Sequence, residues 1–431
     1  MSPTGLSANA YEAVRNEVYD RIASANLDPS ADNEAVAALA AEVVEAHQRS
    51  VAKGQSPREA FSAPEAIIAR LVRDVSGLGA QLEELLGDPD VEEIYGFDGE
   101  ILYRTTTGDT RAVEPPLPVA AVLHTVTRWA TSAGEPLDAS RPKLDGVRVV
   151  LPGGRQARLQ ASIAPRIDGT VAFTLRLPQK RNTTLDDLVE MGSITAAAAT
   201  FLRVLMRAPR IKILIAGPPG GGKTTLIESL LRALAVAIRA IVLEEQRELS
   251  ADLLNGEYWA TSKVESLYDL IRSARVASPD LLVLGELKGP EAWELAMAGN
   301  LGTGLICAVH ADSPAEAFDA LAVAASPAVP AMAQSELRRI FADMFDVVIY
   351  ADKAEMAGRT LRQVTEIAVV PPQLSQAAVA VEPIFARTDI GAPMTLISPS
   401  LPEPLERKCN RALAGYGHTV REVLEGAEVA L

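Results

Sequence analysis

The chain has 431 residues, 48% of them hydrophobic, and a formal net charge of −15. That length exceeds one ordinary core and calls for two or three domains. The acidity excludes a surface that tracks nucleic acid throughout, because phosphate backbones need clustered Lys and Arg. Two cysteines, Cys307 and Cys409, make neither a disulfide framework nor a CxxC motif, so a reducing compartment and no metal cluster are expected. Met1-Ser2-Pro3-Thr4-Gly5 lacks the basic flank and apolar core of a signal peptide, and no apolar run reaches about 18 residues. The expectation is a cytoplasmic chain without direct membrane insertion, peripheral to a membrane only through partners.

From Ala8 to Leu86 the pattern is helical, rich in Ala, Glu, Arg and Leu. Punctuation at Pro29-Ser30-Ala31-Asp32 and Gly54-Gln55-Ser56-Pro57 divides it into three or four helices. His47 reads there as a surface residue. After Gly87 short apolar runs predict strands at Val91–Tyr95, Ile101–Arg104, Val147–Leu151, Ala157–Ala161 and Val171–Arg176, with Pro152-Gly153-Gly154 as a hairpin turn. A helix from Pro118 to Ala133 interrupts them and carries His124, read as packed rather than catalytic. Pro178-Gln179-Lys180-Arg181-Asn182 is a polar linker, and Thr184 caps the helix that restarts at Leu185. Alternating patterns then predict an α/β domain with a largely parallel sheet, its strands at Ile211–Ala216, Ala240–Leu243, Leu281–Leu284, Leu305–Val309 and Val347–Tyr350. Beyond Pro371 only a helix near Glu403–Leu413 is legible. The expected organisation is a helical region (1–86), a small α+β domain (87–178), a linker (179–194) and an α/β domain with a C-terminal extension (195–431).

The apolar run Lys212–Ala216 breaks at Gly217-Pro218-Pro219-Gly220-Gly221-Gly222-Lys223-Thr224-Thr225 and continues with helical periodicity. Strand, glycine-rich loop and helix are the context of a phosphate-binding loop. Glycines let backbone N–H groups curl around a triphosphate, and the helix N-terminus points its partial positive charge at it. Lys223 reaches the β- and γ-phosphates, and the Thr224 hydroxyl is placed for Mg²⁺. Gly217 to Thr225 are therefore the expected nucleotide-binding residues.

Hydrolysis also needs carboxylates to hold Mg²⁺ and orient water. Two strand ends supply them, Leu243-Glu244-Glu245 and Leu284-Gly285-Glu286, on the side where ligands of parallel sheets bind.

The order of these motifs, followed by Ala308-Val309-His310-Ala311-Asp312-Ser313-Pro314, resembles the secretion ATPases of type II and type IV systems. Within that superfamily it is most similar to the CpaF/TadA-type ATPases of tight-adherence (Flp) pili. Asp88–Ile94 and Thr184–Val189 resemble the same family's N-terminal domain and linker, so the likeness runs from about Gly87 to Val370. It implies an α/β, RecA-like P-loop NTPase motor domain preceded by a small α+β domain and a helical region. It further implies Glu286 as the Walker B glutamate, Glu244 and Glu245 as an acidic box with Glu245 supporting Mg²⁺, and His310 as a histidine near the γ-phosphate. Arg166 and Arg176 match positions from which the N-terminal domain supplies arginines to the nucleotide.

The chain departs from that pattern at Lys288, where the family has Arg, in the shortened stretch Asn300–Leu305, which lacks a usual histidine, and at Arg275-Val276. The implied protein is a Mg²⁺-dependent ATPase forming a homo-hexamer on an inner-membrane pilus or secretion platform. Alternatives are a type IV secretion or conjugation ATPase exporting protein or DNA, and a nucleotide sensor with negligible turnover. A nucleic-acid motor is disfavoured by the charge.

Overall fold

A computed structural model describes residues 8–25, 33–76, 80–106, 108–151, 156–177, 182–262, 264–299, 302–356, 359–373, 379–427 and 429. The chain divides into two compact units, Met1–Gln179 and Lys180–Leu431. The expected turns at Pro29–Asp32 and Pro152–Gly154, and the linker residues Pro178–Arg181, lie outside the described residues.

In the first unit, α1 (Ala8–Ala25), α2 (Asn33–Ala52) and α3 (Pro64–Ser76) bury a shared stripe. Val14, Val18 and Ile22 meet Val36, Ala40, Val43, Val44, Ile67 and Leu71. Spacings of three and four place these side chains on one face of each helix. His47 continues the α2 stripe, and this corrects its reading as a surface residue: it is buried. Its Nε2 lies 3.0 Å from the Glu59 carbonyl, and its ring centroid is 4.9 Å from that of Phe61.

After α4 (Ala80–Gly87) come β1 (Val91–Phe97), β2 (Glu100–Thr105), β3 (Thr110–Ala112), α5 (Val119–Ser132), β4 (Lys143–Val150), β5 (Gln156–Ile163) and β6 (Val171–Arg176). The strands form one antiparallel sheet in the order β3-β2-β1-β6-β5-β4. Helix α5 buries Val122, Val126, Trp129 and Ala130, and Trp129 meets Phe173 of β6 edge-on. His124 is half-buried on that helix.

The second unit begins with α6 (Leu185–Glu190), capped by reciprocal hydrogen bonds between Thr184 and Asp187, and α7 (Ala196–Leu205). There follow β7 (Lys212–Ala216), α8 (Lys223–Arg232), β8 (Ala240–Glu244), β9 (Gly256–Ala260), α9 (Leu267–Val276), β10 (Leu281–Leu284), α10 (Glu291–Gly299) and β11 (Gly304–Val309). The chain continues through α11 (Glu316–Ala325), α12 (Gln334–Met344), β12 (Val347–Met356), β13 (Arg359–Val369), β14 (Glu382–Ala386), β15 (Thr395–Leu396), α13 (Glu403–Ala412) and α14 (Val420–Leu424). Sheet order is β15-β14-β13-β12-β7-β11-β10-β8-β9, parallel from β12 to β9 and antiparallel from β12 to β15.

The central strands are apolar on both faces because both are covered. Ile213, Ile215, Val242, Val283, Ile306 and Ile349 pack with residues of α7, α8, α13 and α14. Their neighbours Leu214, Ile241, Leu243, Leu282, Cys307 and Val348 pack with α9 to α12. The alternation of strand side chains thus builds two cores from one sheet.

Asp346, just before β12, ties α13 to the start of β7. Its Oδ2 accepts the Lys212 N–H at 3.0 Å and Lys408 Nζ at 2.7 Å. Replacing Asp346 with Ala strands the Lys212 N–H and leaves Lys408 only the Arg210 carbonyl at 3.3 Å, and is expected to lower unfolding free energy by about 2–4 kcal/mol in urea titrations. Lys408→Met, which leaves the Lys212 N–H bonded, is expected to cost less.

Candidate functional site

Strands β7, β8, β10 and β11 are parallel neighbours or near neighbours, so their carboxyl ends share one edge of the sheet. Each runs directly into a motif residue: Ala216 into Gly217, Leu243 into Glu244 and Glu245, Leu284 into Gly285 and Glu286, Val309 into His310. Topology alone therefore gathers groups scattered over almost a hundred positions.

The loop after β7 depends on glycine. Gly217, Gly220 and Gly222 have φ of +150°, +71° and +99°. A Cβ on Gly217 would lie 1.9 Å from the Ala351 carbonyl oxygen, and one on Gly221 would lie 2.9 Å from it. Pro218 accepts the Gly221 N–H at 3.1 Å, closing the turn, and Pro219 is exposed beside it. Gly222 is the residue before α8, so the unpaired N–H groups of that helix's first turn open at the loop. Thr224 and Thr225 sit half-buried in that turn.

Lys223 is only 8% exposed. Its ammonium donates to the carbonyls of Gly217 at 2.8 Å and Pro218 at 3.0 Å, and lies 2.9 Å from His310 Nδ1. Burial pushes its pKa down to about 8, against the pull of Glu286. His310 Nδ1 also lies 3.2 Å from the Gly217 carbonyl, and its Nε2 is in contact with Glu286. Lys288 Nζ lies 2.7 Å from Glu286 and 3.9 Å from Glu245. Lysine at position 288 thus faces both carboxylates as a point charge, without the fork of an arginine.

The two glutamates at the end of β8 differ. Glu245 is exposed. Glu244 is buried, and its Oε1 accepts the N–H groups of Glu248 at 3.1 Å and Leu249 at 3.0 Å. Burial pushes its carboxyl up to about 7, although both hydrogen bonds favour the anion. Glu228 of α8 holds the same loop by accepting from Ser250 N at 2.8 Å and Oγ at 3.0 Å.

The structure thus brings together Lys223, Glu286, His310, Glu245 and Lys288. Arg166 and Arg176 belong to the first unit, where both are exposed, beyond β5 and at the end of β6. Arg275 donates to the buried Glu294 at 2.5 Å. Of the departing stretch 300–305, Asn300 and Leu301 lie outside the described residues.

Sequence reasoning missed the ribbon of β12 and β13, whose Arg362 Nε donates to the Gly220 carbonyl at 3.0 Å. Its only signal was continuation of the apolar run Val347–Tyr350 into an alternation with no apolar face. A glycine cradle with no room for a Cβ at Gly217 or Gly221, a buried cation and hard oxygen donors at Thr224, Glu245 and Glu286 fit a phosphate ligand carrying Mg²⁺.

This is the site of a phosphate-binding α/β protein, and comparison with known proteins gives its family. The family described as type II/IV secretion system protein matches residues 99–344, and the chain belongs to it. The conjugal transfer protein TrbB of Rhizobium radiobacter is 28% identical over 306 residues, covering 69% of this chain and 90% of that protein. A putative conjugal transfer protein of Mycobacterium tuberculosis is 30% identical over 260 residues, covering 58% of this chain and 72% of its own.

The Legionella pneumophila ATPase DotB shares the fold with a TM-score of 0.51 at 16% identity, covering 67% of this chain and 79% of that one. The pilus retraction motor PilT, solved with bound ADP, gives 0.50 at 18% identity, covering 68% and 82%. The α/β fold is that of the RecA-like secretion ATPases.

Gly217→Ala drives a Cβ into the backbone of Ala351 and is expected to cost roughly 3 kcal/mol or more and to abolish ATP binding. Gly192→Ala, at φ +67° with open space around it, pays only left-handed strain of about 1–2 kcal/mol. Paired denaturation and nucleotide titrations of the two variants measure the difference.

Proposed function

We propose that the chain is a Mg²⁺-dependent ATP hydrolase that powers a secretion-type machine. The observation that carries this reading is the network of Lys223, His310 and Glu286 at the carboxyl edge of the parallel strands. Lys223 exchanges its loop carbonyls for phosphate oxygens. Glu286, held between His310 and Lys288, orients the attacking water and receives its proton. Glu244 fixes the acidic loop, and Glu245 with Thr224 would hold Mg²⁺, which neutralises charge on the phosphates. His310 touches both Lys223 and Glu286, so a change at the phosphate is felt at the water-orienting carboxylate. Arg166 and Arg176 act as cations from the first unit.

The machine we favour is a tight-adherence pilus, served by a homo-hexameric ring on an inner-membrane platform and reached through a protein partner. Among the described residues no helix is long and apolar enough to cross a membrane. A conjugative or type IV secretion role is supported by the names of the relatives, TrbB among them.

Steady-state phosphate release from ATP and Mg²⁺, measured across protein concentration, tests the enzyme. Glu286→Gln is expected to lower turnover by about 10²-fold or more with ATP binding retained, whereas Lys223→Ala is expected to lose both. Negligible turnover in wild type, unchanged in Glu286→Gln, would leave the protein a nucleotide sensor. A rate per subunit that stays flat with concentration would argue against a ring. With a net charge of −15, salt-sensitive DNA binding is expected to be absent in filter-binding assays.

A further inference from the structure

Strand β12 pairs with β7 only as far as Tyr350, opposite Ala216. Beyond that point it runs on to Met356 with β13 as its partner. A bulge between Tyr350 and Ala351 re-aims this overhanging ribbon, as bulges do. The ribbon lies against the phosphate-binding loop: the Ala351 carbonyl is the atom that a side chain at Gly217 or Gly221 would strike.

Two residues further out, Lys353 stands directly opposite Arg362. Both reach the same loop residue. Arg362 Nε donates to the Gly220 carbonyl at 3.0 Å, and Lys353 Nζ lies 3.3 Å from where a Cβ on Gly220 would be. Lys353 is exposed and is one of the charges that press the Lys223 ammonium toward losing its proton. Glu355, two pairs further out, is opposite Thr360 and accepts a hydrogen bond from its hydroxyl at 2.5 Å.

Like charges directly opposite one another on a ladder destabilise it. Here the pair stands beside a loop that carries a third cation, Lys223. Such an arrangement suits an anion received between the ribbon and the loop, with Arg offering a planar fork and Lys a point charge to phosphate oxygens.

We propose that Lys353 and Arg362 form a second phosphate-binding element, gripping the phosphates of the nucleotide from the β12–β13 ribbon while the loop and Lys223 hold them from below. This rests on the reading of the loop as a nucleotide site.

The test is calorimetric titration of the full chain with ATP and with ADP, together with melting temperatures without nucleotide, for wild type, Lys353→Ala, Lys353→Glu, Arg362→Ala and Lys223→Ala. Lys353→Ala is expected to weaken ATP and ADP roughly tenfold or more. Lys353→Glu is expected to weaken both further. Melting temperature without nucleotide stays level or rises in both, because the cross-strand repulsion is relieved. Arg362→Ala, which also frees the Gly220 carbonyl, is expected to weaken binding at least as much.

Wild-type affinity in both Lys353 variants, alongside loss of binding in Lys223→Ala, overturns the inference while leaving the nucleotide site intact. A lowered melting temperature with unchanged affinity overturns it too and makes the pair a structural part of the hairpin. If wild type binds neither nucleotide, or Lys223→Ala binds as wild type does, the reading of the loop fails and the inference falls with it.

Discussion

The backbone contact between Gly217 and Ala351 is the constraint on which the second unit's working edge depends. A strand and a loop can lie this close only if one of them has no side chain, and the distance of 1.9 Å from a would-be Cβ leaves no latitude. Given that contact, β12 must be the neighbour of β7 and must overshoot it. The loop is then bounded by α8 on one side and by the ribbon on the other. Its shape is a property of the sheet and does not have to be supplied by a ligand.

Electrostatics completes what packing begins. The chain as a whole is acidic, with a net charge of −15, and at long range such a molecule repels a nucleotide. Lys223, Lys288, Lys353 and Arg362 concentrate positive charge at a single edge, and Glu286 and Glu245 balance part of it. Buried Lys223 shows how tightly this is drawn. Its ammonium is desolvated, crowded by other cations and kept charged by Glu286. The same carboxylate meets Lys288 and His310, so the charge on Lys223 and the charge on Glu286 cannot change independently.

Much of this was legible in the sequence where one local signal carried the whole feature. Lys212–Thr225 is a buried strand, a glycine turn and a helix start in one stretch, and each part constrains the next. The runs at Leu281–Leu284 and Gly304–Val309 were legible because strands covered on both faces are apolar throughout. His47 was misread because an imidazole resembles a surface residue, although the 36, 40, 43, 44 spacing already led to it. The β12 overhang was invisible for the opposite reason. Ala351-Asp352-Lys353-Ala354-Glu355-Met356 packs against a loop and carries no apolar alternation, and β9, β13, β14 and β15 lie toward or at the edges of the sheet. The functional weight of Arg166 and Arg176 came from family resemblance, since an exposed arginine at a strand end has no local signature.

Cys307 and Cys409, which first served only to exclude disulfides and metal motifs, have a further consequence. Both are completely buried, one in each core of the second unit. Burial pushes the Cys409 thiol up to about 12 and raises the Cys307 thiol above its ordinary value as well. The thiolate is the reactive form, so the native protein is expected to stay silent toward maleimides and iodoacetamides without any cysteine being removed. A single cysteine introduced on each unit would then take a fluorophore selectively, and any movement between the units on adding nucleotide becomes an optical observable.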